Sequence, residues 1–359
     1  MMPTQGAQIR IEKKSTFLGR HLKALGFVLR VILPCLIRTG RRPVIFSRYA
    51  GLGDIICTIP AARELMKRHP GSPFIYNCHA DSAAIPRMAG IAERVTSLKH
   101  VGLIGHWYSF LLGGFYHFAH GDDRPDDGCH ELLVTEFCRQ FDVPLAYEHP
   151  ELPVAPEVRA RVIERLAEAN LSLEKLILIH PGPSWPVREW PIEKWADLVT
   201  RLKGLGYSDI GQLGVARYLN FGKVDVASVP GTVSLVNAFS VEECIAAISM
   251  ARLFIGIDSG LLHMAASART PSVGIFGMTL PQFRFSESFR NCFVVSRVEC
   301  VGCEHRKPRL HWVTGCPYEI RCMKTLAADD LFEMCLAKLG ENPERNGGMA
   351  SRNPALTNE

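Results

Sequence analysis

Leu253-Phe254-Ile255-Gly256-Ile257-Asp258-Ser259-Gly260-Leu261-Leu262-His263-Met264-Ala265-Ala266-Ser267-Ala268 reads as a buried strand, a tight polar turn and a helix of small residues. An apolar run without alternation suits a parallel strand covered on both faces. A strand that feeds a helix through such a turn leaves backbone N–H groups converging on one spot, where hydrogen bonds and the helix dipole both favour an anion. Gly260 lets a phosphate approach the backbone, Ser259 adds a hydroxyl, and His263, one turn on, adds an imidazole N–H. The turn is a candidate phosphate cradle. Asp258 or Ser259 equally suits an ordinary helix cap, so other segments must decide.

The same strand, loop and helix order recurs on both sides. Val44–Ser47 reads as a strand, residues 49–53 as a Gly-rich loop and residues 54–68 as a helix ended by Pro70. A strand over 73–77 and a helix near 81–89 follow. Residues 101–141 turn aromatic and His-rich, a composition that suits either contact with a sugar acceptor or buried packing. After Pro150, Pro153 and Pro156 a helix over 158–170 leads into a second series: strand 176–179, helix 192–205, strand 210–213, helix 241–250, the opening unit, strands 272–276 and 292–295, and helix 331–339. Two such series imply two parallel-sheet domains with a ligand between their strand ends. The chain divides into 1–42, 43–170, 171–340 and a tail, 341–359, whose Asn, Gly and Pro content predicts disorder.

With 359 residues, 47% of them hydrophobic, the chain can bury a large core, and its length favours two domains. Residues 1–42 carry nine Lys and Arg against one Glu, whereas the remainder carries 32 against 35 Asp and Glu. No basic stripe runs across the body, so nucleic acid is not an expected partner, and residues 10–42 suit an anionic membrane surface. Leu18, Leu22, Leu25, Leu29, Ile32 and Leu36 step by fours and threes, with Lys13, Arg20, Lys23 and Arg30 on another face. Arg30 and Pro34 interrupt the stretch, which is too short to span a bilayer and suits its cytoplasmic interface. The alternative is a helix packed on the protein's own surface. Twelve Cys without a cleavable signal pattern point to a reducing, cytoplasmic compartment.

Gly51-Leu52-Gly53-Asp54 is a second strand-to-helix loop. Ile56 stands where a dinucleotide fingerprint needs its third Gly, which argues against a nicotinamide enzyme. Asp54 suits either an N-cap or a carboxylate placed to take a proton. In the loop His180–Pro191, Ser184 and Arg188 can both address phosphate oxygens, while Trp185, Trp190 and Trp195 suit packing. Cys300, Cys303, Cys316 and Cys322, spaced by two, twelve and five residues, suit a structural zinc, buried thiols or redox-labile pairing, with no catalytic role. Asp122-Asp123 and Asp126-Asp127 lack the spacing of a D-x-D metal motif.

Together these segments resemble glycosyltransferase family 9, the family of the lipopolysaccharide heptosyltransferases. The likeness rests on Arg48–Asp54 with Thr58–Ala61, on His180–Trp195, on Phe254–Ala266 with Val273–Gly277, and on the cysteines from Cys300 to Cys322. It implies an α/β GT-B fold, two Rossmann-like domains with parallel sheets facing an interdomain cleft. The acceptor, a lipid-linked or glycan chain, would sit on 43–170, and a nucleotide-diphosphate sugar on 171–340. The implied activity is inverting, metal-independent transfer of a heptose-like sugar to lipopolysaccharide core or a related envelope glycan, by an enzyme peripheral to the inner membrane's cytoplasmic face. Asp54 matches the proposed base and Arg188 a basic position against the diphosphate, where better-known members have Lys. Asp258, Ser259, Gly260, Leu261 and His263 match the donor turn, Ser184 a phosphate-contacting hydroxyl, and Gly53 and Gly277 fall in the same donor-binding segments. No catalytic cofactor is implied. After Gln212 no acidic residue follows as in members that use one on the ribose, which leaves the donor open. A nucleotide-sugar epimerase or hydrolase and a non-catalytic nucleotide-sugar-binding protein are the competing readings.

Overall fold

Each strand–helix series closes into its own all-parallel sheet. The structure is a computed structural model that describes residues 17–91, 94–97, 101–120, 131–215, 217–219, 222–224, 226–290, 293–306 and 316–340. The first series begins with helix α1 (Phe17–Phe27), which runs through one wide turn, Val28–Ile32, into α2 (Leu33–Thr39). There follow β1 (Val44–Ser47), α3 (Leu52–Arg68), β2 (Phe74–Asn77), α4 (Ala84–Met88), β3 (Arg94–Thr96), α5 (Val101–Leu112), β4 (Phe115–Phe118) and α6 (Leu133–Gln140). The strand order is β3-β2-β1-β4, so the unbroken apolar run of β1 lies inside the sheet and is buried at every residue. The aromatic segment is more regular than its composition suggests. It forms α5 and β4, and β4 pairs with β1 from Val44↔Phe115 to Ser47↔Phe118.

Helix α7 (Pro156–Glu168) opens the second series, followed by β5 (Ile177–His180), α8 (Ile192–Gly204) and β6 (Ile210–Gly214). A small antiparallel pair, β7 (Arg217–Leu219) and β8 (Gly222–Val224), precedes β9 (Val233–Val236), α9 (Val241–Met250), β10 (Leu253–Ile257), α10 (Gly260–Ser267) and β11 (Ser272–Phe276). The chain ends in α11 (Glu287–Arg290), β12 (Phe293–Val295), α12 (Cys303–Arg306), α13 (Arg321–Thr325) and α14 (Ala328–Leu339). The order β12-β11-β10-β5-β6-β9 puts the opening strand, β10, inside a six-stranded sheet. Ser240 and Glu243 form a reciprocal capping box at the start of α9, and Glu243 also meets Arg165 of α7 at 3.1 Å. Helix α7 thereby packs with the second sheet's helical layer.

One apolar core runs through both domains. It joins Phe46, Ile56, Ile59 and Leu65 to Ile248, Leu262, Phe276 and Phe285, with α3 packed against α10 at the junction. A second core under the other face of the large sheet holds Trp190 and Trp195, whose rings meet edge to face 5.4 Å apart.

The basic N-terminal helix has two apolar faces rather than one. Ala24, Phe27, Val28, Val31 and Ile32 are buried against Ile45, Ile75, Ile104 and Tyr108 of the first domain. Leu18, Leu22, Leu29 and Ile37 point away and are between 52% and 75% exposed. Among the described residues no helix is long and apolar enough to cross a membrane. Residues 10–16, the Asp122–Asp127 loop and the tail 341–359 lie outside the described residues.

Candidate active site

The two glycine-bearing turns face each other across the domain boundary. Helix α3 starts after Gly51 and α10 after Ser259, so both positive helix ends meet at one seam. A β-carbon on Gly260 would lie 2.7 Å from Leu52 Cβ, and one on Gly53 would lie 2.5 Å from His263 Cδ2. The glycines are there because two helix ends need that space.

Asp54 is not the cap of α3; Gly51 is. Its Oδ1 accepts a hydrogen bond from Arg48 Nη2 at 2.5 Å, while Arg48 Nη1 donates to the Ala119 carbonyl at 3.2 Å and its guanidinium lies over the Phe137 ring. The Asp54 side chain remains 35% exposed. Burial pushes its carboxyl up, but the charge and hydrogen bond of Arg48, with Arg284 and His263 behind, outweigh that and hold it below the usual aspartate value. It is an ionised carboxylate at the mouth of the seam.

Across the seam Asp258 is only 4% exposed. Its Oδ2 accepts from Thr279 Oγ1 at 2.6 Å and stands 3.7 Å from Arg188 Nε, and Arg188 Nη1 donates to the Asp258 carbonyl at 3.4 Å. Burial raises its carboxyl, and Arg188, Arg284, His263 and Thr279 together bring it below the usual value. Asp258 thus anchors Arg188 and the turn, and is enclosed where Asp54 is open. Ser259 occupies the cap position of α10, yet its Oγ is buried and has no hydrogen-bond partner among the described residues. An anion at the helix end would supply one. The Ser184 backbone N–H is held by Glu189 Oε1 at 2.7 Å, which closes the loop carrying Arg188. Leu261 packs on the shared core. Gly277 serves a different contact: a β-carbon there would meet Cys322 Sγ and Met323 Sδ, both at 2.8 Å, so its bareness seats α13 and not the seam.

Four residues with no role in the sequence reading complete the site. Arg48 pairs with Asp54, and buried Arg284 exerts its charge on both Asp54 and Asp258. Cys57 and His149 join His263: Cys57 Sγ lies 3.5 Å from His263 Nδ1 and 3.8 Å from His149 Nε2, and the two ring nitrogens are 2.8 Å apart. Burial lowers His263 to about 4 and holds His149 well below the usual histidine value, and it raises the Cys57 thiol. Position in α3 puts Cys57 one turn beyond Gly53; nothing in the sequence places His149, on the interdomain connection, beside it.

Among the described residues, Cys57, His149 and His263 bring three ligating atoms within 4.8 Å of one another. Cys300, Cys303, Cys316 and Cys322 are close enough to act on one another's charge, and burial plus that repulsion raises Cys303 to about 12 and Cys322 to about 11. Their segment is tied to the loop after β11 by Gly302 N–H to Gly277 carbonyl, Glu304 N–H to Met278 carbonyl and Leu280 N–H to His305 Nε2.

The model of glycosyltransferase family 9 (heptosyltransferase) matches residues 81–312. The chain belongs to glycosyltransferase family 9. Lipopolysaccharide heptosyltransferase 1 of Pseudomonas aeruginosa is 23% identical over 312 residues, which span 72% of this chain and 85% of that one. Two solved structures share the fold: a family 9 glycosyltransferase from Veillonella parvula, with TM-score 0.60, 16% identity, and 83% and 97% of the two chains covered, and the E. coli ADP-heptose lipopolysaccharide heptosyltransferase II, with TM-score 0.59, 15% identity, and 84% and 99% covered. The GT-B arrangement implied by the motifs is therefore the observed one, and this family 9 chain is a glycosyltransferase.

Proposed function

We propose that this family 9 enzyme transfers a heptose-like sugar, with inversion, from a nucleotide-diphosphate sugar to a lipopolysaccharide-core or related envelope glycan. The observation that carries the reading is the opposition of Asp54, an open carboxylate on one domain, to Arg188 and the α10 helix end on the other. Inversion needs a base on one face of the sugar and charge stabilisation of the leaving diphosphate on the other. Asp54 takes the acceptor hydroxyl's proton. Arg188, Arg284, the Ser259 hydroxyl and the two helix N-termini stabilise the departing diphosphate, as a divalent cation would in a metal-dependent enzyme. The name of the P. aeruginosa relative supports a heptose, and that of the E. coli structure ADP-heptose, as the donor to try first.

The exposed row Leu18, Leu22, Leu29 and Ile37, beside Arg20, Lys23, Arg30 and Arg38, supports a helix lying on an anionic membrane with its inner face docked on the first domain. A structural zinc on the four cysteines rests on their spacing, since among the described residues only Cys57, His149 and His263 bring three ligating atoms within 4.8 Å of one another; metal content before and after Cys303→Ser checks it. The central test incubates the enzyme with ADP-heptose and a heptose-deficient lipopolysaccharide acceptor, in EDTA. Transfer that proceeds in EDTA with inverted anomeric configuration supports the reading. Donor turnover without acceptor points to a hydrolase or epimerase, and binding without turnover to a non-catalytic binder.

A further inference from the structure

His149 and His263 form a buried titratable pair that the roles of Asp54 and Arg188 leave unexplained. Phe285 lies parallel to both rings, with centroids 5.1 and 4.6 Å away and planes at 12° and 28°, so the two imidazoles are clamped in place. Their 2.8 Å contact between His149 Nε2 and His263 Nδ1 is a hydrogen-bond distance. Burial keeps both rings neutral, so each has one N–H and one lone pair, and a single proton bridges them. The far end of His149 sets its direction. Nδ1 of His149 is buried with no hydrogen-bond partner among the described residues. Were His263 the donor, His149 would carry its proton on that atom and bury an unsatisfied N–H. With His149 as donor the orphan is a lone pair, which is tolerated more often.

We propose that His149 is a positioning residue whose Nε2–H fixes His263 in the tautomer that keeps its own proton on Nε2. That atom lies at the seam, 3.0 Å from where a β-carbon of Gly53 would stand, so the N–H is presented between the two helix ends. Cys57, a neutral thiol at 3.5 Å from the same Nδ1, is a weaker donor that adds to the bias without setting it. Arg284 and Arg188 act on His263 against Asp258 and Asp54, and the two guanidinium groups suit an anion at the seam. The tautomer stands on the ring geometry and on the neutrality that burial imposes; its service to a leaving diphosphate rests on the function proposed above.

The test is long-range proton–nitrogen NMR on the ligand-free full chain labelled with 15N-histidine, His263 being assigned by the signals lost in His263→Gln. The expected result is a single Nε2–H tautomer in the wild type, a mixture in His149→Phe, restoration in His149→Gln through its amide N–H, and no change in Cys57→Ala. An Nδ1–H tautomer in the wild type overturns the proposal. So does an unaltered pattern in folded His149→Phe, or stoichiometric zinc uptake that His149→Phe abolishes. Should His149→Phe misfold, the wild-type and Gln spectra decide. ADP titration separates the two claims: about tenfold weaker binding in His149→Phe and near wild-type binding in His149→Gln are expected. A shifted tautomer with unchanged ADP affinity sinks the donor-site reading and leaves the positioning intact.

Discussion

His263 of the second domain closes on Gly53 of the first so tightly that a β-carbon at Gly53 would stand 2.5 Å from the imidazole Cδ2. A residue in the first turn of the proposed base's helix and the residue one turn beyond the anion turn are therefore interlocked. Their contact sets the distance between the two halves of the chemistry.

Gly53→Ala should lower turnover at least about tenfold while leaving the melting temperature within a few degrees. Alanine improves a helical position, which offsets part of the strain, but the ring must move, and displacements near 1 Å can cost two orders of magnitude in rate. Steady-state kinetics beside a thermal melt checks this. Full turnover in Gly53→Ala would show that the seam is not rate-setting.

Asp54→Asn should cut kcat by about two to four orders of magnitude, the usual worth of a general base, with donor affinity changed only several-fold. The amide keeps the shape beside Arg48 and removes the proton acceptor. Near wild-type kcat would discard Asp54 as base; Asp258, enclosed by Thr279 and Arg188, would then be the carboxylate to test.

Arg188→Ala should cost on the order of 2 to 4 kcal/mol in transition-state stabilisation, judged from losses of comparable anion-stabilising groups. It also strips Asp258 of a buried partner, so Arg188→Lys is the companion variant. Charge alone predicts partial recovery of kcat/KM; the paired geometry with the Asp258 carbonyl predicts little. The kcat/KM ratio of the two variants measures which dominates.

Strands β1, β5, β10 and β11 were legible because each is an apolar run with at most one polar residue, at its end. Strand β4 was not. Phe115-Tyr116-His117-Phe118 is partly exposed and sits between a glycine pair and a His-rich stretch, so only its pairing with β1 defines it. The anion turn and Asp54 could be read from Gly spacing, since close approach of a ligand or helix leaves that mark. Arg284 and His149 left none: each stands on an irregular segment, and only the third dimension brings them to Asp54 and His263. The N-terminal helix shows a further limit. Its exposed leucines were legible by periodicity, but Ile32, which periodicity places in the same row, is buried with Phe27 and Val28 because α5 lies beside it.

Because that inner face is part of the core, deleting the helix would test stability and not membrane contact. Leu18→Glu with Leu22→Glu and Leu29→Glu addresses the outer face alone. Co-sedimentation with vesicles containing an anionic lipid should fall at least about tenfold, while activity on a detergent-dispersed acceptor persists. Undiminished sedimentation would refute the interfacial helix.

Acid should destabilise the enzyme in two windows with different owners. His263 falls to about 4 from an ordinary value of 6.5, so the unfolded chain binds the extra proton between those values. The stabilisation is complete above pH 6.5 and drains away as pH falls toward 4, and His149 moves in the same direction. Asp54 and Asp258, held below 3.8 by their arginines and neighbours, contribute stability that is complete above that value and is lost only at lower pH. By pH 5 the His263 part alone amounts to about 2 kcal/mol. Urea unfolding from pH 7.5 to 5 should therefore show a declining midpoint in the wild type and a shallower decline in His263→Gln. Equal slopes in the two proteins would mean that His263 stays accessible to protons, and that the seam is open in solution.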